Sequence, residues 1–111
     1  MNKLIKQPDF IAKLKYFTPE QGGRKTPAWS GYRPQVKFSF SEMQTSGQQT
    51  FLDKEIVHPG ETVTAEIAII ATEFFKNKLS VGQSFEFREG PHIIGTGEII
   101  EIKNNDLKLN H

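Results

Sequence analysis

The residues with the most capacity for chemistry lie in one stretch, Thr18 to Pro34, reading TPEQGGRKTPAWSGYRP, which sets Arg24, Lys25 and Arg33 against a single acid, Glu20. Cationic side chains on such a loop can neutralise phosphates without reading bases, so anion contact is the first chemistry they suggest. Bond-making chemistry has less support. Gly-Gly-Arg-Lys-Thr is like the end of a phosphate-binding loop, but that motif needs Gly-Lys-Ser/Thr contiguous on a strand-to-helix turn. Here Arg24 intervenes and no helical pattern follows. Asn77-Lys78 opens like a guanine-reading NKxD, yet Ser80 stands where the aspartate is required. Ser30 has no GxSxG elbow, His58, His92 and His111 lack ligand spacing, and Asp53 and Glu55 read as solvated charges. The residues therefore predict no catalytic group, no metal, no cofactor and no nucleotide.

Whatever positions these side chains must be built from short strands. Gly22, Gly23 and Gly31 supply unusual backbone angles and Pro19, Pro27 and Pro34 remove donors, so the 18–34 stretch reads as a long loop. On either side the apolar residues recur with a period of two. Phe10, Ala12, Leu14 and Tyr16 alternate with Ile11, Lys13 and Lys15; Val36, Phe38 and Phe40 alternate with Lys37 and Ser39; Val63, Ala65, Ile67 and Ile69 share one face. Six strands are predicted, near residues 10–17, 35–41, 50–57, 61–70, 83–88 and 92–102. SEMQTSGQQ reads as a polar turn, His58-Pro59-Gly60 and Glu89-Gly90-Pro91 as tight turns, and residues 71–82 as a loop or a helical turn, with the loop preferred. Gly95 and Gly97, two apart on a strand face, suggest a bulge or a close backbone approach. Residues 1–8 are expected to be a flexible lead-in, 9–103 a single barrel or sandwich, and 104–111 a polar tail.

Composition narrows the class further. A chain of 111 residues is one domain with one modest core, and without cysteine it has neither disulfides nor thiolate ligands. No stretch is apolar for long enough to span a membrane or act as a signal segment, which makes the cytoplasm the expected location. The net charge of +1 hides an asymmetry: residues 1–37 carry eight bases and two acids, residues 38–111 six bases and eleven acids. That split becomes a basic patch only if the fold gathers the bases on one face, as when Arg24 and Lys25 join Lys13 or Lys15.

At Gly22-Gly23-Arg24-Lys25-Thr26-Pro27 and Ser30-Gly31-Tyr32-Arg33-Pro34-Gln35 the sequence resembles the third, C-terminal β-barrel domain of elongation factor Tu. The strand at Phe10–Phe17, the His58-Pro59-Gly60-Glu61 turn, and Phe87-Arg88-Glu89-Gly90 with Gly95-Thr96-Gly97 fall in the same order and spacing, so the likeness spans residues 9–103. It implies an all-β fold, a closed six-stranded antiparallel barrel of the translation-factor type, without the family's GTPase domain and second barrel. It also implies contact with tRNA-like RNA through Arg24, Lys25, Gln35, Glu89 and Gly90, although Lys25 stands where the family has histidine and Thr64 where it has lysine. Gly22, Gly23, Gly31, Tyr32, Arg33 and Pro34 would be structural loop residues, with Tyr32 and Arg33 hydrogen-bonded inside. Trp29, Phe74 and Phe75 are the candidates for docking a translation-related protein. A non-enzymatic binding module is the expected function, protein docking ranking ahead of RNA binding.

Overall fold

In the computed structural model, which describes residues 7–109, eight strands follow in order. They are β1 (Phe10–Tyr16), β2 (Ala28–Trp29), β3 (Gln35–Phe38), β4 (Gln44–Phe51), β5 (Ile56–Val57), β6 (Thr62–Ile69), β7 (Ser84–Glu89) and β8 (His92–Ile102). Six of them close an antiparallel barrel in the order β1-β6-β4-β3-β7-β8, with β1 pairing both β6 and β8, while β2 and β5 form a separate two-stranded ribbon. Closure leaves no bare barrel edge. The lead-in expected over residues 1–8 falls, up to residue 6, outside the described residues.

The period-two faces point where the alternation says they should. Phe10, Ala12, Leu14 and Tyr16, Val36 and Phe38, and Val63, Ala65, Ile67 and Ile69 are all buried in one core with Phe85 and Phe87. Phe40 leaves the stripe: β3 ends at Phe38, and Phe40 stacks partly exposed on Phe38, their ring centroids 5.6 Å apart. Gly95 and Gly97 face inward beneath two aromatic rings of the neighbouring strand. A Cβ at Gly95 would lie 2.2 Å from the Phe87 ring, and one at Gly97 2.3 Å from the Phe85 ring. The close approach expected there is therefore ring against backbone, which lets two phenylalanines fill a narrow barrel.

Three expectations need correction. The stretch read as a polar turn is most of β4, whose inward residues are Thr45, Gly47, Gln49 and Phe51. Its core face is small or polar because the buried Tyr16 hydroxyl needs an acceptor and donates to Gln49 Oε1, so the apolar alternation that marks a strand is missing. Second, residues 56–57 do not continue that strand but pair with Ala28 and Trp29, giving the 18–34 loop a short strand of its own. Third, the polar tail packs through residue 109: Leu107 is fully buried, its carbonyl accepts from Lys78 and Leu79 at 2.9 and 2.8 Å, and Leu109 donates to the Leu79 carbonyl. Two leucines in eight otherwise polar residues are too few to set a period, which is why the pattern hid them. The 71–82 connection is a single 3₁₀ turn, Thr72–Phe74, followed by irregular chain.

Asp9 fastens that same end of the barrel. Its carboxylate accepts from the Ile69 backbone and the Asn104 side chain, both at 2.8 Å, while its carbonyl takes the Lys103 and Asn104 amides. Each hydrogen bond to an ionised carboxylate contributes on the order of 1.5–3 kcal/mol, enough to hold the chain after β8 across the opening.

Candidate functional site

The 18–34 loop crosses the opposite end of the barrel, and its two halves do different work. It leaves β1 beside β8, where the Phe17 amide donates to the Ile94 carbonyl at 3.0 Å, and opens with a capping box in which Thr18 and Gln21 satisfy each other's backbone. Gly22 and Gly31 take φ of 96° and 100°, angles that other residues resist. Gly23 presses so close to the preceding turn that a Cβ would stand 2.2 Å from the Phe17 carbonyl oxygen. The chain then crosses to β5, and Ala28 and Val57, both buried, close the core beneath it.

Arg24 is held on every side. Its Nη1 donates to Glu89 Oε2, Nε to the Thr26 carbonyl at 3.2 Å, and Nη2 to Thr26 Oγ1 at 3.2 Å and the Pro27 carbonyl at 3.1 Å. Its guanidinium carbon lies 4.7 Å from the centroid of the Tyr32 ring, whose hydroxyl donates to the same Glu89 oxygen. Desolvation would lower the Arg24 pKa, but hydrogen bonding with Tyr32 and Glu89 outweighs it and holds the group above its usual range. Burial first, and then the Glu89 bond, push the Tyr32 hydroxyl well above the ordinary tyrosine value. Arg24, Tyr32 and Glu89 thus form a clamp between the loop and the β7–β8 turn, in which Gly90 provides the positive φ, 59°, at the first central position.

Of the residues expected to meet RNA, Arg24, Lys25, Glu89 and Gly90 gather at this turn, and Lys25 lines an open depression of ≈ 370 Å³ together with Gly22, Gly23, Arg24, Glu89 and His92. Lys25 is exposed and forms no ion pair among the described residues. Gln35 lies on β3 beside Arg88, with its amide donating to Ser46 Oγ at 3.1 Å. Lys13 and Lys15 do not join the depression; they line a separate groove with Thr62, Ser84, Thr96 and Glu98. Lys13 is, however, the direct cross-strand neighbour of Thr64, so a cation does stand on that part of the barrel wall.

The loop residues divide as well. Pro34 is buried and Tyr32 half-buried in the clamp, but Arg33 is exposed and makes no hydrogen bond or ion pair among the described residues, which corrects its expected role inside the loop. Phe75 is also corrected as a docking candidate: at 1% exposure it fills the far end of the barrel against Phe38, 5.1 Å between centroids. Phe74 beside it is 52% exposed.

Trp29, 61% exposed, stands on the outer face of the β2–β5 ribbon with its cross-strand partner Ile56, while Ala28 and Val57 face in. Sequence reasoning missed what surrounds it. Ser30 ties the ribbon down by donating its amide to the Glu55 carbonyl and accepting the Phe51 amide at its Oγ, both at 3.0 Å, which brings Leu52, 50% exposed, into the same lobe. The signal was present in Leu52, an apolar residue between a strand and a charged turn, but nothing local linked it to Trp29. Among the described residues no helix is long and apolar enough to cross a membrane, and no group of His, Cys, Asp and Glu could hold a metal. Residues 4–103 match the family model described as the elongation factor Tu C-terminal domain.

Proposed function

Since this chain belongs to the elongation factor Tu C-terminal domain family, a non-catalytic β-barrel domain of a translation factor, we propose that it is a translation-related module that docks protein partners through the Trp29 lobe. It would there mimic or compete with elongation factor Tu for those partners. One observation carries this ranking: Arg24, the loop's central cation, has its donors committed to Glu89, Thr26 and Pro27, whereas Trp29 on the same loop is exposed. An exposed tryptophan on a fixed backbone is the kind of anchor that dominates protein interfaces. Capture of partners from the native lysate by the full chain should survive nuclease treatment and fall at least tenfold with Trp29→Ala. Capture that disappears with nuclease and ignores Trp29 would overturn this reading.

A second reading, contact with tRNA-like RNA, is favoured by Lys25, whose charge is uncommitted at the mouth of the depression beside His92. Its contribution would be phosphate neutralisation, weak and strongly salt-dependent.

A further inference from the structure

We infer that the groove beside Lys13 and Lys15 takes an acidic protein segment, one that sets a carboxylate there while an apolar side chain anchors on the lobe around Trp29. This rests on the docking reading and names the chemistry of its partner. On the outer wall of the barrel the strand registers set three rows side by side. Lys15 stands between Thr62 of β6 and Thr96 of β8, Lys13 between Thr64 and Glu98, and Ile11 between Glu66 and Glu101. Lys13, Lys15, Thr62, Thr96 and Glu98 line one open groove of ≈ 320 Å³. Both lysines are exposed, and neither forms an ion pair among the described residues. Lys15 therefore offers an ammonium with a hydroxyl on either side, a donor set that suits the two oxygens of one carboxylate. Glu98 offsets one of the two lysines, which leaves the groove a single net positive charge, again the match of one carboxylate. A phosphate backbone fits less well: its charges repeat, and the next row along the wall would face it with Glu66 and Glu101.

The groove adjoins the lobe. The Leu52 amide donates to the Thr64 carbonyl at 2.9 Å, and Thr64 is the cross-strand neighbour of Lys13. The exposed Leu52 thus lies two strand spacings, about 10 Å, from that lysine. On the lobe's other flank the chain runs along β4, where the Gln49 amide donates to the Tyr32 carbonyl at 2.8 Å and the Gly47 amide to the Pro34 carbonyl at 2.9 Å. Arg33 stands between these bonds, exposed and without an ion pair among the described residues. The lobe's own acids are committed or turned away. Asp53 accepts the Thr64 amide, Glu61 engages the His58 amide and Lys54, and Glu55 pairs with Ser30 on the ribbon face away from Trp29. An apolar anchor with unpaired cations on both flanks is complementary to an acidic partner.

Trp29 is the chain's one tryptophan, so its emission reads the apolar end of this surface. The full chain is titrated with a synthetic peptide in which a pair of leucines is followed, three residues on, by glutamates. The same peptide with lysine for glutamate and a short RNA hairpin are titrated alongside. Only the acidic peptide should shift the emission saturably. Lys15→Gln should weaken its binding roughly tenfold, as the loss of one interfacial ion pair does, and Glu98→Gln should tighten it by removing a competing carboxylate. Lys76→Gln, next to Phe75 at the other end of the barrel, should leave it unchanged. No shift with the acidic peptide, an equal response to the basic one, equal losses in Lys15→Gln and Lys76→Gln, weaker binding in Glu98→Gln, or a saturable shift with the hairpin that Lys15→Gln abolishes would each overturn the inference. If the acidic peptide fails while capture from the lysate still depends on Trp29, the inference falls and the docking reading stands; if both fail, both fall.

Discussion

Two halves of a single loop meet at one end of the barrel, and they are built on opposite terms. Residues 18–27 are tied down: a capping box, a glycine pressed on backbone, and a guanidinium whose donors are shared among Glu89, Thr26 and Pro27. Residues 28 and 29 pair with a two-residue strand and leave the chain's one tryptophan in solvent. The half that looks chemically richer in sequence is the structural one, and the half that looks like punctuation presents the free surface. Charge on a loop is therefore a poor guide to contact until its hydrogen-bond partners are known.

The largest test of that contrast is Gly23→Ala. The new Cβ would meet the carbonyl oxygen and carbon of Phe17 at 2.2 and 2.7 Å, and backbone cannot swing aside as a side chain does. A loss of about 3 kcal/mol is expected, the upper part of the overpacking range, read as a lower urea midpoint at unchanged slope. A loss under about 0.5 kcal/mol would show that the first half of the loop yields freely, and the contrast would dissolve.

How much of this was legible beforehand follows from where apolar residues do the work. The barrel could be read because β1, β3, β6 and β7 bury apolar side chains on alternate positions. β4 could not, since its inner face is Thr45, Gly47 and Gln49, chosen by the needs of Tyr16 and by the space left beside Val36. The site was half legible. Arg24 and Glu89 could be singled out from their motifs, but that they bind each other across 65 positions is information that only the closed barrel holds. For the same reason Leu52 carried no mark in sequence: its place depends on Ser30, more than twenty positions earlier, whose Oγ takes the amide of the preceding Phe51.

The tyrosines provide the next test. Burial chiefly raises the Tyr16 pKa far above the ordinary value, and burial with the Glu89 bond does the same for Tyr32. An unfolded tyrosine ionises near 10. Because the folded values are raised, the folded chain holds these protons more tightly, so their contribution to stability is complete below about pH 10 and is lost as the pH rises beyond it. Absorbance near 295 nm should show both tyrosines, the only two in the chain, resisting ionisation past pH 10 until the barrel opens. Ordinary titration of both in a folded barrel would contradict the clamp as well as the Tyr16–Gln49 bond.

Glu89→Gln separates the halves directly. It removes the charge that Arg24 and Tyr32 share, but the pair is partly solvent-exposed, 20% and 43%, so screening reduces the loss to about 1 kcal/mol. Trp29→Ala, by contrast, should change stability by less than about 0.5 kcal/mol, since an exposed side chain gives up little burial on removal. Equal losses from the two substitutions, measured by urea unfolding, would mean that Trp29 is a structural residue and the loop has no free half.

The smallest effect concerns RNA and probes the clamp from outside. Each cation that touches a phosphate releases counterions and adds close to one unit to the slope of log affinity against log salt. If Arg24 and Lys25 both met phosphates, neutralising the pair would flatten that slope by about two units. With Arg24 committed to Glu89, Thr26 and Pro27, only Lys25 is free to contribute. Lys25→Ala should therefore lower the slope for an RNA stem by about one unit, and adding Arg24→Ala should lower it little further while reducing stability through the lost clamp. The second substitution is the informative one. A further full unit of slope from Arg24 would mean that the guanidinium leaves Glu89 to meet phosphate, and that the tied half of the loop is a binding surface after all.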